Sequence, residues 1–162
     1  MNRLTFVQLY AEDKENCATF EQLMWQYAKE LDEHQSRITP TNFIEKWIKS
    51  IIQIQGDNDR HLELCYDDKT LIGFLYGKID RPEHKGFIKV GYGYIMEFFV
   101  LPEYRRNGYG KEMYLRLEKL FKQDGAKRMY LTSDPITGKP FWESLGFVNT
   151  GEKSPENDQE IY

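Results

Sequence analysis

One segment restricts the fold of this chain more than any other, because a strongly apolar stretch runs into a glycine-containing turn and then into a helical pattern. Residues 95–101 (IMEFFVL) contain Glu97 as their only ionisable side chain. Pro102 ends the stretch, and Arg105-x-x-Gly108-x-Gly110 follows shortly after. Beyond this turn, apolar residues recur at helical spacing. The segment therefore predicts a buried strand, a short loop and a helix, in that order.

The turn has the properties of an anion-binding site. Gly108 and Gly110 let the backbone approach an anion without interference from a Cβ atom. The free N–H groups of the following helical turn, together with the positive end of the helix dipole, can bind phosphate oxygens. Arg105, Arg106 and Lys111 add positive charge. The turn lacks the Gly-Lys-Ser/Thr of a P-loop and the third glycine of a dinucleotide fingerprint. Taken alone, Gly-x-Gly at a helix start is also typical of a plain tight turn.

Apolar periodicity along the rest of the chain predicts alternating strands and helices without repeats or linkers. The predicted strands are residues 4–10, 61–66, 70–78, 90–101, 128–132, 147–150 and 159–162. The predicted helices are residues 13–33, a segment from 41 to just before 56, 107–124 and 139–145. The order βααβββαβαββ predicts an α/β (mixed α+β) fold in one domain spanning residues 1–162.

Composition narrows the class of protein. A net charge of -4 and a pI of about 5.5 argue against a nucleic-acid binder, which carries a basic face. The same charge is permissive of a cationic substrate, and it also suits an ordinary soluble protein. No apolar run approaches the roughly 18 residues that a membrane helix needs, so no membrane partner is expected. The N-terminal residues do not have the pattern of a signal peptide.

Cysteine and histidine usage adds two expectations. Cys17 and Cys65 lie in apolar patterns, which predicts buried free thiols and a cytoplasmic location. His34, His61 and His84 have no partners at metal-ligand spacing, so we expect no metal site.

Two motifs lie along the second half of the chain. The first is Arg105-x-x-Gly108-x-Gly110, and the second is residues 141–147 (FWESLGF). Together they resemble the GNAT acetyltransferase family, whose acyl-CoA pyrophosphate loop has the pattern Arg/Gln-x-x-Gly-x-Gly/Ala and whose last helix contains the run Phe-Tyr-Glu-Lys-Leu-Gly-Phe. The motifs occur in the family's order, separated by a predicted helix and strand. The resemblance covers most of the chain in element order and is sharp over residues 95–147.

The resemblance implies a mixed sheet, flanked by helices, that splays open between its fourth and fifth strands. Acetyl-CoA is the implied co-substrate, with its pantetheine arm in the gap and its pyrophosphate on the loop. The implied cofactor-binding residues are Phe99, Val100, Leu101, Arg105, Arg106, Asn107, Gly108, Tyr109, Gly110, Lys111, Ser133 and Trp142. Relatives often have an asparagine that contacts pantetheine at the position of Asp134-Pro135. Ser133 is included in the set because, as a neighbour, it could replace that hydrogen bond.

The implied reaction is direct attack of a primary amine on the thioester, the amine belonging to a small polyamine-like molecule or to a peptide or protein. Glu97 is the candidate base, directly or through water, because its strand resembles that of polyamine acetyltransferases. The alternative for Glu97 is a solvent-facing strand carboxylate. Tyr94 is a second candidate, as a hydrogen-bond partner of the acceptor or of a water, with core packing as its alternative. The sequence does not determine the oligomeric state, and a homodimer is left open.

Trp142 is a departure from the family pattern. Many members have a tyrosine there as general acid, whereas an indole N–H cannot usefully deliver a proton. Tyrosines at other positions (104, 109 and 130) do not occupy the matching place. We therefore keep two functions open, an active acetyltransferase in which Trp142 forms a wall beside the thioester and a catalytically weak or inactive acetyl-CoA-binding module.

Overall fold

The structure is a computed structural model that describes residues 3–54, 60–84, 88–133, 138–152 and 160–162, with the backbone alone at 133 and 160. Its strands form one six-stranded sheet in the order β1-β2-β3-β4-β5-β6. All neighbouring strands are antiparallel except β4 and β5, which are parallel. The strands are β1 (Leu4–Gln8), β2 (Arg60–Asp67), β3 (Thr70–Ile79), β4 (Gly93–Val100), β5 (Met129–Ser133) and β6 (Glu160–Ile161).

Helices cover both faces of the sheet. They are α1 (Lys14–Gln35), α2 (Thr41–Gln53), α3 (Tyr109–Gln123) and α4 (Gly138–Ser144), with a single 3₁₀ turn at Pro102–Tyr104. Because side chains alternate along a strand, the sheet supplies two cores. Leu64 and Phe74 pack against α1 and α2, whereas Cys65 and Leu75 pack against α3 and α4. The predicted fold class, a mixed α/β sheet flanked by helices, is confirmed.

The sheet splays open between β4 and β5. The two strands are paired only where Gly93, Tyr94 and Ile95 face Met129, Tyr130 and Leu131. β4 then continues to Val100 alongside β3 alone, with a register irregularity between Tyr76 and Gly77. The predicted gap between the fourth and fifth strands is therefore present, and it exposes the final residues of β4.

Several predicted boundaries differ from the structure. The predicted strand 147–150 is wrong, because Phe147 donates its N–H to Trp142 O (3.1 Å) to close the end of α4, and the segment meets β6 only at Thr150. β4 begins at Gly93 rather than residue 90, since the preceding residues form a turn with Gly91 at φ 84°. α3 begins at Tyr109 rather than residue 107, because Gly108 has a left-handed φ of 82° that a helix cannot continue.

Two kinds of feature are absent from the described part of the chain. No helix there is both long and apolar enough to cross a membrane. In the same residues, no group of three or more His, Cys, Asp or Glu side chains is placed to hold a metal ion.

Candidate active site

A cavity of about 650 Å³ lies at the gap between β4 and β5. It is lined by residues of α1, β4, β5 and α4. Residues of the loop that precedes α3 also line it. The Arg105-x-x-Gly108-x-Gly110 loop thus borders the cavity at the gap between β4 and β5.

The loop before α3 turns sharply enough to present its backbone to the cavity. Arg106 and Gly108 both have left-handed backbone conformations, with φ of 65° and 82°. A positive φ is uncommon for a residue with a side chain, so Arg106 marks a locally constrained turn. Gly108, Gly110 and Lys111 line the cavity at the N-terminus of α3, and the exposed Arg106 lines it beside them. Helix N–H groups, the helix dipole and two cations favour an anion at this place.

Gly110 has a second role that the motif does not express. A Cβ atom at this position would lie 2.9 Å from Cε1 of Phe141 on α4. Real Cβ atoms do not come so close to a ring, so a larger residue here would require the Phe141 ring to move, and glycine lets α4 pack closely against the start of α3. The two family motifs therefore touch each other, and Gly110 is where they meet.

Arg105 is directed away from the helix start. Its guanidinium forms a bidentate ion pair with Glu30 of α1, with Nη1 to Oε1 at 2.7 Å and Nη2 to Oε2 at 2.6 Å. Its Nε donates to Val100 O at 2.9 Å. The sequence predicts Arg105 as a cationic part of the phosphate site, but the structure places its charge on α1 and on the end of β4. Arg105 still lines the cavity.

Only alternate residues of β4 offer their backbone to the gap. Leu101 donates its N–H to Ile72 O of β3 at 2.8 Å. In an antiparallel pair the N–H and C=O of one residue point to the same side, and this side alternates along the strand. Phe99, in phase with Leu101, therefore also faces β3, whereas Phe98 and Val100 face the gap. Of the three predicted backbone contacts to pantetheine, the geometry favours Val100.

Glu97 lines the cavity from the middle of β4 and is half-buried. Tyr27 of α1 donates its hydroxyl hydrogen to Oε2 of Glu97. Burial, which penalises the charged carboxylate, raises the pKa of Glu97 from 4.5 to about 7, although the bond from Tyr27 acts in the opposite direction. Glu97 can therefore exchange a proton near neutral pH, which is the property that a general base requires.

Four predicted site residues lie outside the described cavity lining. Tyr94 stacks on Tyr130 with ring centroids 4.5 Å apart, which agrees with its packing alternative. The Tyr109 hydroxyl donates to Asp67 at 2.5 Å, and Asn107 Nδ2 donates to Tyr104 O at 3.1 Å. Leu101 is buried. The side chain of Ser133 and the whole of Asp134 lie outside the described residues, so the structure does not bear on their predicted contact.

Trp142 is buried and lines the cavity among other aromatic rings. Its ring lies edge-on to Phe98 at 5.0 Å, to Phe141 at 4.8 Å and to Phe147 at 5.6 Å between centroids. These contacts fix the indole as part of the wall between α4 and β4. Among the described lining residues Tyr27 is the only tyrosine, and its hydroxyl is directed at Glu97.

Sequence reasoning missed the contribution of α1. The helical pattern predicts Tyr27 on the inner face of the helix, and for Glu30 and His34 it favours a solvated helix end over the alternative, a place in the acceptor cleft. All three line the cavity with Leu31, which agrees with the less favoured alternative. His34 Nε2 lies 3.8 Å from Glu30 Oε1. The spacing of 27 with 31 and of 30 with 34 places both pairs on neighbouring stripes of one helix. That spacing is visible in the sequence, but nothing in it indicates which strand the helix faces.

The comparisons agree with this geometry. The sequence profile of the Acetyltransferase (GNAT) family matches residues 18–147. No curated protein matches the chain significantly. Among solved structures, the PaiA N-acetyltransferase from Thermoplasma acidophilum, in complex with coenzyme A, is 21% identical with a TM-score of 0.65, covering 99% of this chain and 97% of that one.

Two further structures share the fold. An acetyltransferase from Thermus thermophilus is 16% identical with a TM-score of 0.71, covering 99% of this chain and 96% of that one. AAC(6')-Iy, in complex with the bisubstrate analog CoA-S-monomethyl-acetylneamine, is 18% identical with a TM-score of 0.66, covering 92% and 93%. The family profile spans most of the chain, and the fold, the loop and the cavity agree with it. The chain therefore belongs to the Acetyltransferase (GNAT) family and is an acetyl-CoA-dependent acetyltransferase.

Proposed function

We propose that the chain transfers an acetyl group from acetyl-CoA to a primary amine and that Glu97 is the base. The observation that carries this proposal is the Glu97 carboxyl, which lines the cavity beside the open edge of β4 with its pKa raised to about 7. A carboxylate on an ordinary solvent-facing strand would not have this environment. The structural alternative considered for Glu97 is therefore less well supported than the catalytic one.

The residues around the cavity fit acetyl-CoA. The N–H groups at the start of α3, with Arg106 and Lys111 beside them, are suited to the pyrophosphate. The backbone of Val100 faces the gap, where an extended amide-containing arm would lie. Phe98 and Trp142 provide an apolar wall that excludes water from the reacting end. When bound, acetyl-CoA supplies a thioester whose carbonyl carbon the amine nitrogen attacks, and the C–S bond then breaks to release the CoA thiolate.

Glu97 would remove the proton that prevents the amine from reacting. A primary alkylamine has a pKa of roughly 10 and is an ammonium ion at neutral pH, without a lone pair for attack. The ionised Glu97 carboxylate accepts a proton from this nitrogen, directly or through one water. With a pKa of about 7, a large fraction of Glu97 is ionised at physiological pH. Its protonated form is also acidic enough to return the proton to solvent.

The leaving thiolate needs little assistance from the protein. A thiol has a pKa of about 8.5, so its thiolate is a tolerable leaving group. The attacking nitrogen loses its second proton to water as the amide forms, and the thiolate takes up a proton from water, so the step balances. Trp142 cannot supply that proton because its indole N–H is only a hydrogen-bond donor. We assign it to the wall of the site, where its ring packs against Phe98.

The acceptor is either a small polyamine-like molecule or an amine of a peptide or protein. AAC(6')-Iy was solved with an analog that joins CoA to an acetylated neamine, which is consistent with an amine acceptor on this fold. Wild-type protein should be assayed for thiol release from acetyl-CoA with polyamines, an aminoglycoside and lysine-containing peptides. Mass spectrometry should detect an acetylated amine, and this product should be lost without enzyme.

The same assay tests whether the acceptor is a primary amine. Amine-dependent thiol release with an acetylated product supports the proposal. Tight binding of acetyl-CoA without an acetylated product from any amine in the panel would contradict it.

A further inference from the structure

We propose that Tyr27 is a positioning residue for acetyl transfer, and that it holds the Glu97 carboxylate toward the cavity through the hydrogen bond that it donates. Tyr27 lies on α1, 70 residues before Glu97 in the chain. It belongs to neither family motif. The inference rests on the proposed function of Glu97 as base.

The ring of Tyr27 is fixed before any substrate arrives. It packs at 5.6 Å from Phe74 and 5.3 Å from Phe99, both in the sheet, and at 6.2 Å from Trp47 of α2. Rings held on three sides by aromatic partners have little freedom to rotate away. The hydroxyl of Tyr27 is therefore presented to Glu97 at a defined place, and the bond costs little additional ordering.

The bond from Tyr27 acts on one oxygen of the carboxyl. Oε2 accepts the hydroxyl hydrogen, so the carboxyl group is oriented and the ionised form is favoured over the protonated form. Burial acts in the opposite direction and dominates. Tyr27 thus limits how far burial can raise the pKa of Glu97, and so keeps an ionised base available near neutral pH.

Other charged or titratable groups face the same region. Glu30 and His34 line the cavity from α1, and Arg105 lines it from the loop, in its ion pair with Glu30. On β3, Tyr76 lies opposite Glu97, and its hydroxyl accepts a hydrogen bond from Arg60 Nη1 at 3.0 Å. Among the described contacts, only Tyr27 donates a hydrogen bond to the Glu97 carboxylate.

The test is the pH dependence of kcat/KM for the acceptor amine in Tyr27→Phe. Phenylalanine keeps the ring and its three aromatic contacts, so this variant should fold. Loss of a bond that favours the carboxylate should move the acidic limb of the profile upward by about one pH unit. At pH 7 this shift lowers the ionised fraction of Glu97, and with it kcat/KM, by about fivefold, and the affinity for acetyl-CoA should not change. Tyr66→Phe is the matched control, because the Tyr66 ring packs against the same hydrophobic core. This variant should keep the acidic limb of the pH profile where it is in the wild type.

The double variant separates positioning from general packing. In a Glu97→Gln background there is no carboxylate to orient, so Tyr27→Phe should cause no further loss of kcat/KM. An unshifted limb in Tyr27→Phe, or an equal loss in both backgrounds, would overturn the inference. Failure of the proposed function would give a different result. If Glu97 is not the base, either the wild-type profile has no acidic limb near pH 7 or Glu97→Gln leaves that limb in place.

Discussion

The two halves of the cavity are built in different ways. The half assigned to CoA is local, since the loop of residues 105–111 and the first turn of α3 supply it largely through backbone groups. The half assigned to the acceptor is assembled from distant parts of the chain. There, Tyr27 meets Glu97 across 70 residues. Glu30 of the same helix meets Arg105 of the loop across 75 residues and so links the two halves.

This difference explains what each half can tolerate. Backbone recognition depends on the backbone conformation, so it is sensitive to a Cβ atom at Gly108 and indifferent to many side chains. The acceptor half depends on the chemistry of individual side chains. Replacing a single atom in one of them, as Glu to Gln does, can change that chemistry. Substitutions in the two halves should therefore affect different measured quantities, binding of acetyl-CoA in one and the rate of transfer in the other.

The largest expected effect is that of Glu97→Gln. Removing a positioned base typically lowers kcat/KM by about 10²–10⁴-fold, and a base that acts through water should lie at the low end of this range. In the wild type kcat/KM should rise with pH through about 7, since Glu97 must be ionised to accept a proton. This limb should be absent from the variant. Equal kinetics in wild type and variant from pH 6 to pH 9 would return Glu97 to a structural role.

The raised pKa of Glu97 also has a consequence for stability. Between about pH 4.5 and pH 7 the folded chain holds a proton that the unfolded chain has released, so this group lowers the free energy of unfolding as pH rises. Glu97→Gln cannot ionise. Chemical denaturation should therefore find the variant more stable than wild type at pH 8 but not at pH 4. A pH-independent difference would mean that burial does not raise this pKa.

The next effect in size is that of Gly108→Val on the affinity for acetyl-CoA. A β-branched residue at a φ of 82° is strained, and the loop must change to relieve it. We expect Kd to rise at least about tenfold by calorimetry. The stabilisation by acetyl-CoA, about 2.7 kcal/mol at a hundredfold excess over Kd in the wild type, should fall to about 1.4 kcal/mol or less at the same acetyl-CoA concentration.

Gly125→Val is a matched control that separates backbone strain from the loss of the binding loop. Gly125 also has a left-handed φ, 91°, and its Cβ position is open, but it lies beyond the far end of α3. Gly125→Val should lose comparable stability and keep the affinity for acetyl-CoA. If both variants bind acetyl-CoA equally well, the loop is not the pyrophosphate site.

The same division determines how much the sequence could predict. The fold class and the β4–loop–α3 unit were predictable because periodicity, glycine and proline act locally. Glu97 was conspicuous as a single carboxylate in an apolar strand. The strand predicted at 147–150 failed because Phe147 closes α4 with its N–H, a choice that apolar content does not reveal.

The acceptor half could not be predicted, because its contacts depend on how α1 lies across the sheet. Tyr27 occupies an ordinary inner-face position in the apolar periodicity of the helix, and Glu30 occupies a position typical of a solvated residue. Arg105 matched the family motif, yet the motif does not show that its guanidinium turns toward α1.

Glu30→Gln tests the ion pair with Arg105, which joins the two halves. Its bidentate geometry is good, but both side chains are partly exposed, so the pair contributes about 1 kcal/mol. We expect Kd for acetyl-CoA to rise by about three- to fivefold, because Arg105 is no longer held at the loop. Glu33→Gln, on an exposed side chain of the same helix, is the control. Equal Kd values for the two variants would show that the halves are not linked through this pair.

The smallest effect is expected for Trp142→Phe. The phenyl ring keeps the wall beside Phe98, and no proton donor is lost, so kcat should stay within about fivefold of wild type. Trp142→Ala should instead lower the free energy of unfolding by about 3–5 kcal/mol, since the ring is buried. A Trp142→Phe protein that folds and binds acetyl-CoA but transfers nothing would show that the indole N–H is needed.

The central claim is that the loop binds acetyl-CoA while Glu97 carries out the proton transfer. The most direct test is the calorimetric affinity of Glu97→Gln protein for acetyl-CoA, measured on the same sample whose kcat/KM has been determined. The account predicts a Kd within about twofold of wild type alongside a kcat/KM lowered by at least about a hundredfold. A Kd raised in proportion to the loss of kcat/KM would contradict it, because Glu97 would then act in holding acetyl-CoA rather than in the chemistry.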